Sequence, residues 1–89
     1  MARNFRIGRK SKKADLYLDL QGDFDGTSAH MLLDCIEKNR SKYRRVYVNT
    51  ESLGRVAPFG QDLFAKKARV AFGPRNGIRF IGENAHRFS

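Results

Sequence analysis

Asp15-Leu16-Tyr17-Leu18-Asp19-Leu20 sets three leucines on one side of an extended chain and Asp15, Tyr17 and Asp19 on the other. That period of two is the mark of a strand with one buried face. Upstream, Phe5 and Ile7 flank Arg6 in a shorter alternation that reads as a first strand. The polar run Arg9 to Lys13 then reads as a turn or mobile loop, so the two strands form an antiparallel hairpin. Downstream, Gln21-Gly22-Asp23-Phe24-Asp25-Gly26 breaks the pattern, and the hydroxyls of Thr27-Ser28 are placed to cap a helix. Ala29, Leu32, Leu33 and Ile36 recur at helical spacing, which predicts a helix over residues 28–42. Lys38, Arg40 and Lys42 fall near its end, where cations favour the helix dipole.

The β-branched and aromatic run Val46-Tyr47-Val48-Asn49-Thr50 is the next strand. It follows the helix so closely that a parallel β-α-β crossover is implied. Glu51 to Ala57 reads as a loop, and Pro58 opens a second helix, where its missing amide proton costs nothing. Leu63, Phe64, Ala68 and Ala71 form that helix's buried face, and Gly73-Pro74 stops it. Gly77 to Gly82, with Ile78, Phe80 and Ile81, is the last strand. The tail Glu83 to Ser89 is too short to complete a further helix. The expected fold is one small α/β domain, β-β-α-β-α-β, with a mixed four-stranded sheet and parallel crossover helices. Residues 1–13 form a basic strand or arm and residues 14–89 the body.

With 89 residues, 40% of them hydrophobic and including seven Phe and three Tyr, the chain can build one modest core. No apolar run reaches the roughly 18 residues of a membrane span, and the amino terminus lacks the apolar segment of a secretory signal. The single cysteine, Cys35, lies in an apolar helical pattern and reads as core filling in a reducing compartment. These features suggest a soluble, cytoplasmic protein.

The net charge of +9 is unevenly distributed. Arg3, Arg6, Arg9, Lys10, Lys12 and Lys13 sit in the first 13 residues with no acid among them. Residues 14–37 hold six acids and no Lys or Arg, and the remainder is again strongly basic. Such polarity steers polyanions. The arm, with Lys66, Lys67 and Arg69, is therefore a candidate polyanion-binding set.

Asp23 and Asp25 are spaced to hold a cation or to act as acid and base, but paired acids before a helix also stabilise its positive end without chemistry. The second reading is favoured, because neither His30 nor His86 has metal-ligand spacing with them or with Cys35. No phosphate-binding glycine loop or nucleophile elbow occurs. No enzyme, metal or cofactor is expected.

Three stretches carry a resemblance. Leu18-Asp19-Leu20-Gln21-Gly22-Asp23-Phe24-Asp25 looks like a strand ending in a Gly-acidic-apolar-Asp turn before a helix of small residues. Val46-Tyr47-Val48-Asn49 is followed by Gly60 at the head of the next helix, and Ile78-Arg79-Phe80-Ile81-Gly82 closes the set. In order and spacing, over residues 16–83, they resemble STAS domains, named for sulfate transporters and anti-sigma factor antagonists. The resemblance implies a protein-binding regulator whose second helix starts with a phosphorylatable Asp-Ser-Ser-Gly or Asp-Ser-Thr-Gly. Here the aligned residues are Ala57-Pro58-Phe59-Gly60, so Pro58 occupies the phosphoacceptor position and offers no hydroxyl. Asn49 replaces an acid common at that strand end, and the final helix of longer members is missing or reduced.

The leading expectation is a non-enzymatic protein-interaction module, not switched by serine phosphorylation. Its contact surface is Ala57, Pro58, Phe59, Gly60 and Gln61, with Asp23 and Asp25 beside them. The expected partner is an anti-sigma or kinase-like regulator, or a signalling or transport complex. The competing expectation is a basic nucleic-acid-binding protein, although no helix-turn-helix, zinc or aromatic RNA-binding motif accompanies the cations.

Overall fold

The computed structural model describes residues 4–73 and 77–88. Strands β1 (Arg6–Lys12) and β2 (Asp15–Phe24) are antiparallel, and helix α1 (Gly26–Asn39) follows. A 3-10 turn (Arg40–Lys42) leads to strand β3 (Arg45–Val56), helix α2 (Pro58–Phe72), strand β4 (Ile78–Ile81) and a last 3-10 turn (Ala85–Arg87). The sheet order is β1-β2-β3-β4, with β2, β3 and β4 parallel. Because strand order advances in one direction, two right-handed crossovers leave α1 and α2 side by side on the same face of the sheet.

That face holds the core. Leu16, Leu18 and Leu20 of β2 are fully buried and meet Val46 and Val48 of β3 beneath Ala29, Leu32 and Ile36 of α1. Along α2 the buried positions are Gly60, Phe64, Ala68 and Phe72, a stripe of strict i, i+4 spacing. Ala71 is exposed, contrary to the sequence reading, because a helix meeting its neighbours along so narrow a seam turns that position to solvent. An aromatic cluster fills one end of the core. Phe24 makes edge-to-face contacts with Phe5, Phe64 and Phe88, and Phe88 stacks on Phe80 with 4.9 Å between centroids.

Several boundaries differ from those read in the sequence, including that of α1, which runs Gly26–Asn39 and gives way to the 3-10 turn where the sequence predicts a helix over residues 28–42. Arg9 to Lys12 is strand, not loop, because every residue from Arg6 to Lys12 is paired with β2 and only Lys13-Ala14 turn. A long polar edge strand gains this order from its neighbour and needs no apolar alternation of its own. β2 and β3 likewise continue past their alternating segments, through Phe24 and Val56, so Gln21–Phe24 and Glu51–Val56 are paired strand. The register shifts twice, between Asp19/Gln21 and Gly22/Phe24, with the extra residue on β3 each time. These bulges scramble the period of two and made the segment look like a loop.

Side chains hold the irregularities in place. Asn49 donates from Nδ2 to Asp19 Oδ1 (3.0 Å) and accepts the Glu51 N–H on Oδ1 (3.0 Å), bracing the first bulge. Gly22 has φ of +91°, and a Cβ there would lie 2.1 Å from the Asn4 carbonyl oxygen, so only glycine fits. Buried Thr50 donates to the Ile81 carbonyl (2.8 Å) and accepts the Asn84 N–H (3.2 Å), tying the last turn to the sheet. Phe88 is thereby held over the aromatic cluster. Cys35 is half-buried against the core, and burial raises its thiol pKa above the ordinary value despite the opposing charge of Arg9.

Candidate functional site

Because β2 and β3 are parallel, α1 and α2 both start at the same end of the sheet. The Ala57 N–H donates to the Phe24 carbonyl (2.8 Å), joining the two strand ends immediately before the helices begin. Gly60, in the first turn of α2, is buried against Asp25, the residue that starts α1. Asp25 is the α1 N-cap and its Oδ1 accepts the Ser28 N–H at 3.0 Å. The Thr27 and Ser28 hydroxyls therefore do not cap the helix, as the sequence reading had it. Ser28 is buried one turn inside, and its hydroxyl donates to the Asp23 carbonyl (2.8 Å) while lying 3.1 Å from Asp25 Oδ1. The Ser28 amide is the main reason the Asp25 carboxyl is held below the ordinary carboxylate value, with partial burial acting against it.

Asp23 serves differently. Its Oδ1 accepts the Arg55 N–H at 3.1 Å, fastening β2 to the second bulge of β3. Both acids thus have structural partners, and among the described residues no group of three or more His, Cys, Asp or Glu side chains converges to hold a metal ion.

The seven residues read as a contact surface do lie together at this end of the molecule, but in unequal roles. Pro58 is exposed at the first helical position, and Phe59 is 71% exposed with its ring resting beside Gly26. Asp23 is exposed, Ala57, Gln61 and Asp25 are half-buried, and Gly60 is covered. What this arrangement offers is an exposed apolar ring on a proline-fixed helix start. It offers no hydroxyl at position 58.

The residues read as a polyanion set are separated. Arg6, Lys10 and Lys12 point away from the helices, on the face shared with Tyr17 and Asp19. Arg9 and Ser11 share the helix-facing side with Leu18 and Leu16, and Lys13 sits in the β1–β2 turn. Lys66 and Lys67 border a groove between α1 and α2, with His30, Asp34 and Glu37 opposite, so they and exposed Arg69 belong to the helical layer. Arg3 lies outside the described residues. The sequence reading missed Arg45 and Arg79. Strand register places both on the face of Arg6, Lys10 and Lys12.

No protein-family model and no curated protein sequence matches the chain. Solved structures do. A crystal structure of Mglu superposes with a TM-score of 0.69 at 24% identity over 92% of this chain, which spans only 20% of Mglu. The anti-sigma factor antagonist SpoIIAA in its unphosphorylated form gives 0.59 at 14% identity, covering 85% of this chain and 70% of that one. A DUF3478-family protein from Shewanella loihica, described as having a SpoIIAA-like fold, gives 0.61 at 13% identity over 90% of this chain and 67% of its own. The element order and these superpositions agree, and the chain has the fold of the anti-sigma factor antagonist SpoIIAA.

Proposed function

We propose that this chain is a non-enzymatic protein-interaction module that docks on a kinase-like regulator, or on a signalling or transport complex, through the start of α2. The observation that carries the reading is Phe59, a large ring 71% exposed on a helix start whose backbone is fixed by Pro58 and seated by Gly60. Exposed aromatics on rigid backbone are the side chains from which interfaces draw most of their energy. Pro58 offers no acceptor oxygen, so the interaction is constitutive with respect to phosphorylation there. Among the described residues no helix is long and apolar enough to cross a membrane.

The test is site-specific photocrosslinking in the native cell. A benzoylphenylalanine at position 59 should capture a discrete protein, while the same probe at Val70, which is exposed farther along α2, should not. The captured protein, once purified, should bind Phe59→Ala at least about thirtyfold more weakly than wild type. Equal affinity for the two would remove this surface from the function.

A further inference from the structure

Among the described residues no element covers the face of the sheet opposite the helices, and its composition departs from that of an ordinary solvated face. Register aligns Lys10, Tyr17, Tyr47 and Arg79 in one row across all four strands. At roughly 4.8 Å between strands the row is about 14 Å wide. At its centre the two tyrosine rings are stacked, 5.0 Å between centroids and 15° from parallel, and half-buried although no layer lies over them. Arg6, Lys12 and Arg45 share the same face and are exposed, as are Lys10 and Arg79. The β2 acids of that face are Asp15, which lies between Lys12 and Arg45 in register, Asp19, which accepts a hydrogen bond from Asn49, and Asp23 at the strand end, which accepts the Arg55 N–H.

We propose that this uncovered sheet face binds single-stranded nucleic acid, with Tyr17 and Tyr47 as stacking ground for bases and Arg6, Lys10, Lys12, Arg45 and Arg79 as phosphate contacts. Cations flanking aromatics on an open sheet match a strand whose bases are free to stack while its backbone is neutralised. A duplex fits poorly, since the face is broad and presents no protruding helix or ribbon to enter a groove. An anionic membrane fits poorly as well, because the exposed apolar residue of the face is Ile81 and no apolar stripe accompanies the charge. This site excludes Lys66, Lys67 and Arg69, which lie on the helical layer. It is also separate from the Phe59 surface, so either can fail alone.

The experiment is fluorescence anisotropy of a labelled single-stranded RNA dodecamer against the full chain, with the matching duplex and phosphatidylserine vesicles as competitors. The single strand should bind with a Kd below about 100 μM at 50 mM salt. With about 0.7 counterions released per contact, five contacts give a slope near −3.5, or roughly a hundredfold loss between 50 and 200 mM salt. Lys10→Glu with Arg79→Glu should weaken binding by more than about tenfold, and Lys66→Glu with Lys67→Glu by less than about twofold. Tyr17→Leu with Tyr47→Leu should weaken the RNA about tenfold while leaving inorganic polyphosphate binding unchanged, since stacking is lost and charge is not. Thermal melts establish that each variant folds, and the charge reversals stand as the test if the tyrosine variant does not. Absence of binding, preference for duplex or vesicles, or equal losses from the Lys66/Lys67 and Lys10/Arg79 reversals would overturn the proposal.

Discussion

Gly60 of α2 lies so close to the start of α1 that a Cβ on it would stand 2.6 Å from both the carbonyl carbon and the carbonyl oxygen of Asp25. The obstacle is backbone, so a side chain at position 60 forces the two helix starts apart. Gly60→Ala should destabilise the fold by about 1–3 kcal/mol, the cost of overpacking a rigid site, measured by urea denaturation. A change under about 0.5 kcal/mol would mean that the helix starts are not held together as described.

Gly26 gives the contrasting case. A Cβ there would come 2.9 Å from Cε2 of Phe59, the far end of an exposed side chain that can swing away. Gly26→Ala should leave stability unchanged or raise it by up to about 1 kcal/mol through lower chain entropy. Phe59→Ala should itself shift stability by less than about 0.5 kcal/mol. If the Phe59 surface is the docking site, both variants should still weaken the partner. Loss of stability in Phe59→Ala would show the ring to be a core element.

Asp25→Ala should cost about 1 kcal/mol near neutral pH through loss of the helix cap. The Asp25 carboxyl is lowered in the folded state, chiefly by the Ser28 amide. Its contribution is therefore complete above the unfolded value of about 3.9 and disappears as pH falls through the lower folded value. Denaturation midpoints of wild type and variant should converge in that acid range. Asp25→Asn keeps a cap but has no charge to titrate, and should lack this pH dependence. A wild-type advantage that grows as the solution is acidified would contradict the assignment.

Phe88→Ala should cost about 3–5 kcal/mol, because the ring is buried against Phe24, Phe64 and Phe80. Phe88→Leu should lose less, since it leaves a smaller cavity. Calorimetry of the two variants checks this. Comparable small losses from both would indicate that the last turn does not seal the aromatic cluster.

Cys35 should react slowly with a thiol reagent at mildly alkaline pH. It is half-buried, and burial lifts its pKa above the ordinary thiol value, so little thiolate is present or reachable. Addition of denaturing urea should accelerate the reaction more than about tenfold. Equal rates in the two conditions would place Cys35 at the surface.

Local pattern alone determined much of this protein. The leucine alternation of Leu16, Leu18 and Leu20, the apolar stripe of α1 and the proline at the head of α2 fixed element type and order, because each is a property of neighbouring residues on one element. The absence of a phosphoacceptor at Pro58 is likewise written in the chain. Tertiary structure decided what depends on pairing between distant segments. β1 runs to Lys12 because β2 supplies its hydrogen bonds. β3 runs to Val56 because bulges braced by Asn49 and Asp23 absorb two extra residues, and a bulge removes the periodicity by which a strand is read. Asp25 rather than Ser28 caps α1, since the point where the chain leaves the sheet selects the cap. The same pairing sorted the cations, sending Lys10 and Arg79 to one face and Lys66 and Lys67 to the other. Charge counted along a chain carries no information about faces until strand register and helix crossover have assigned them.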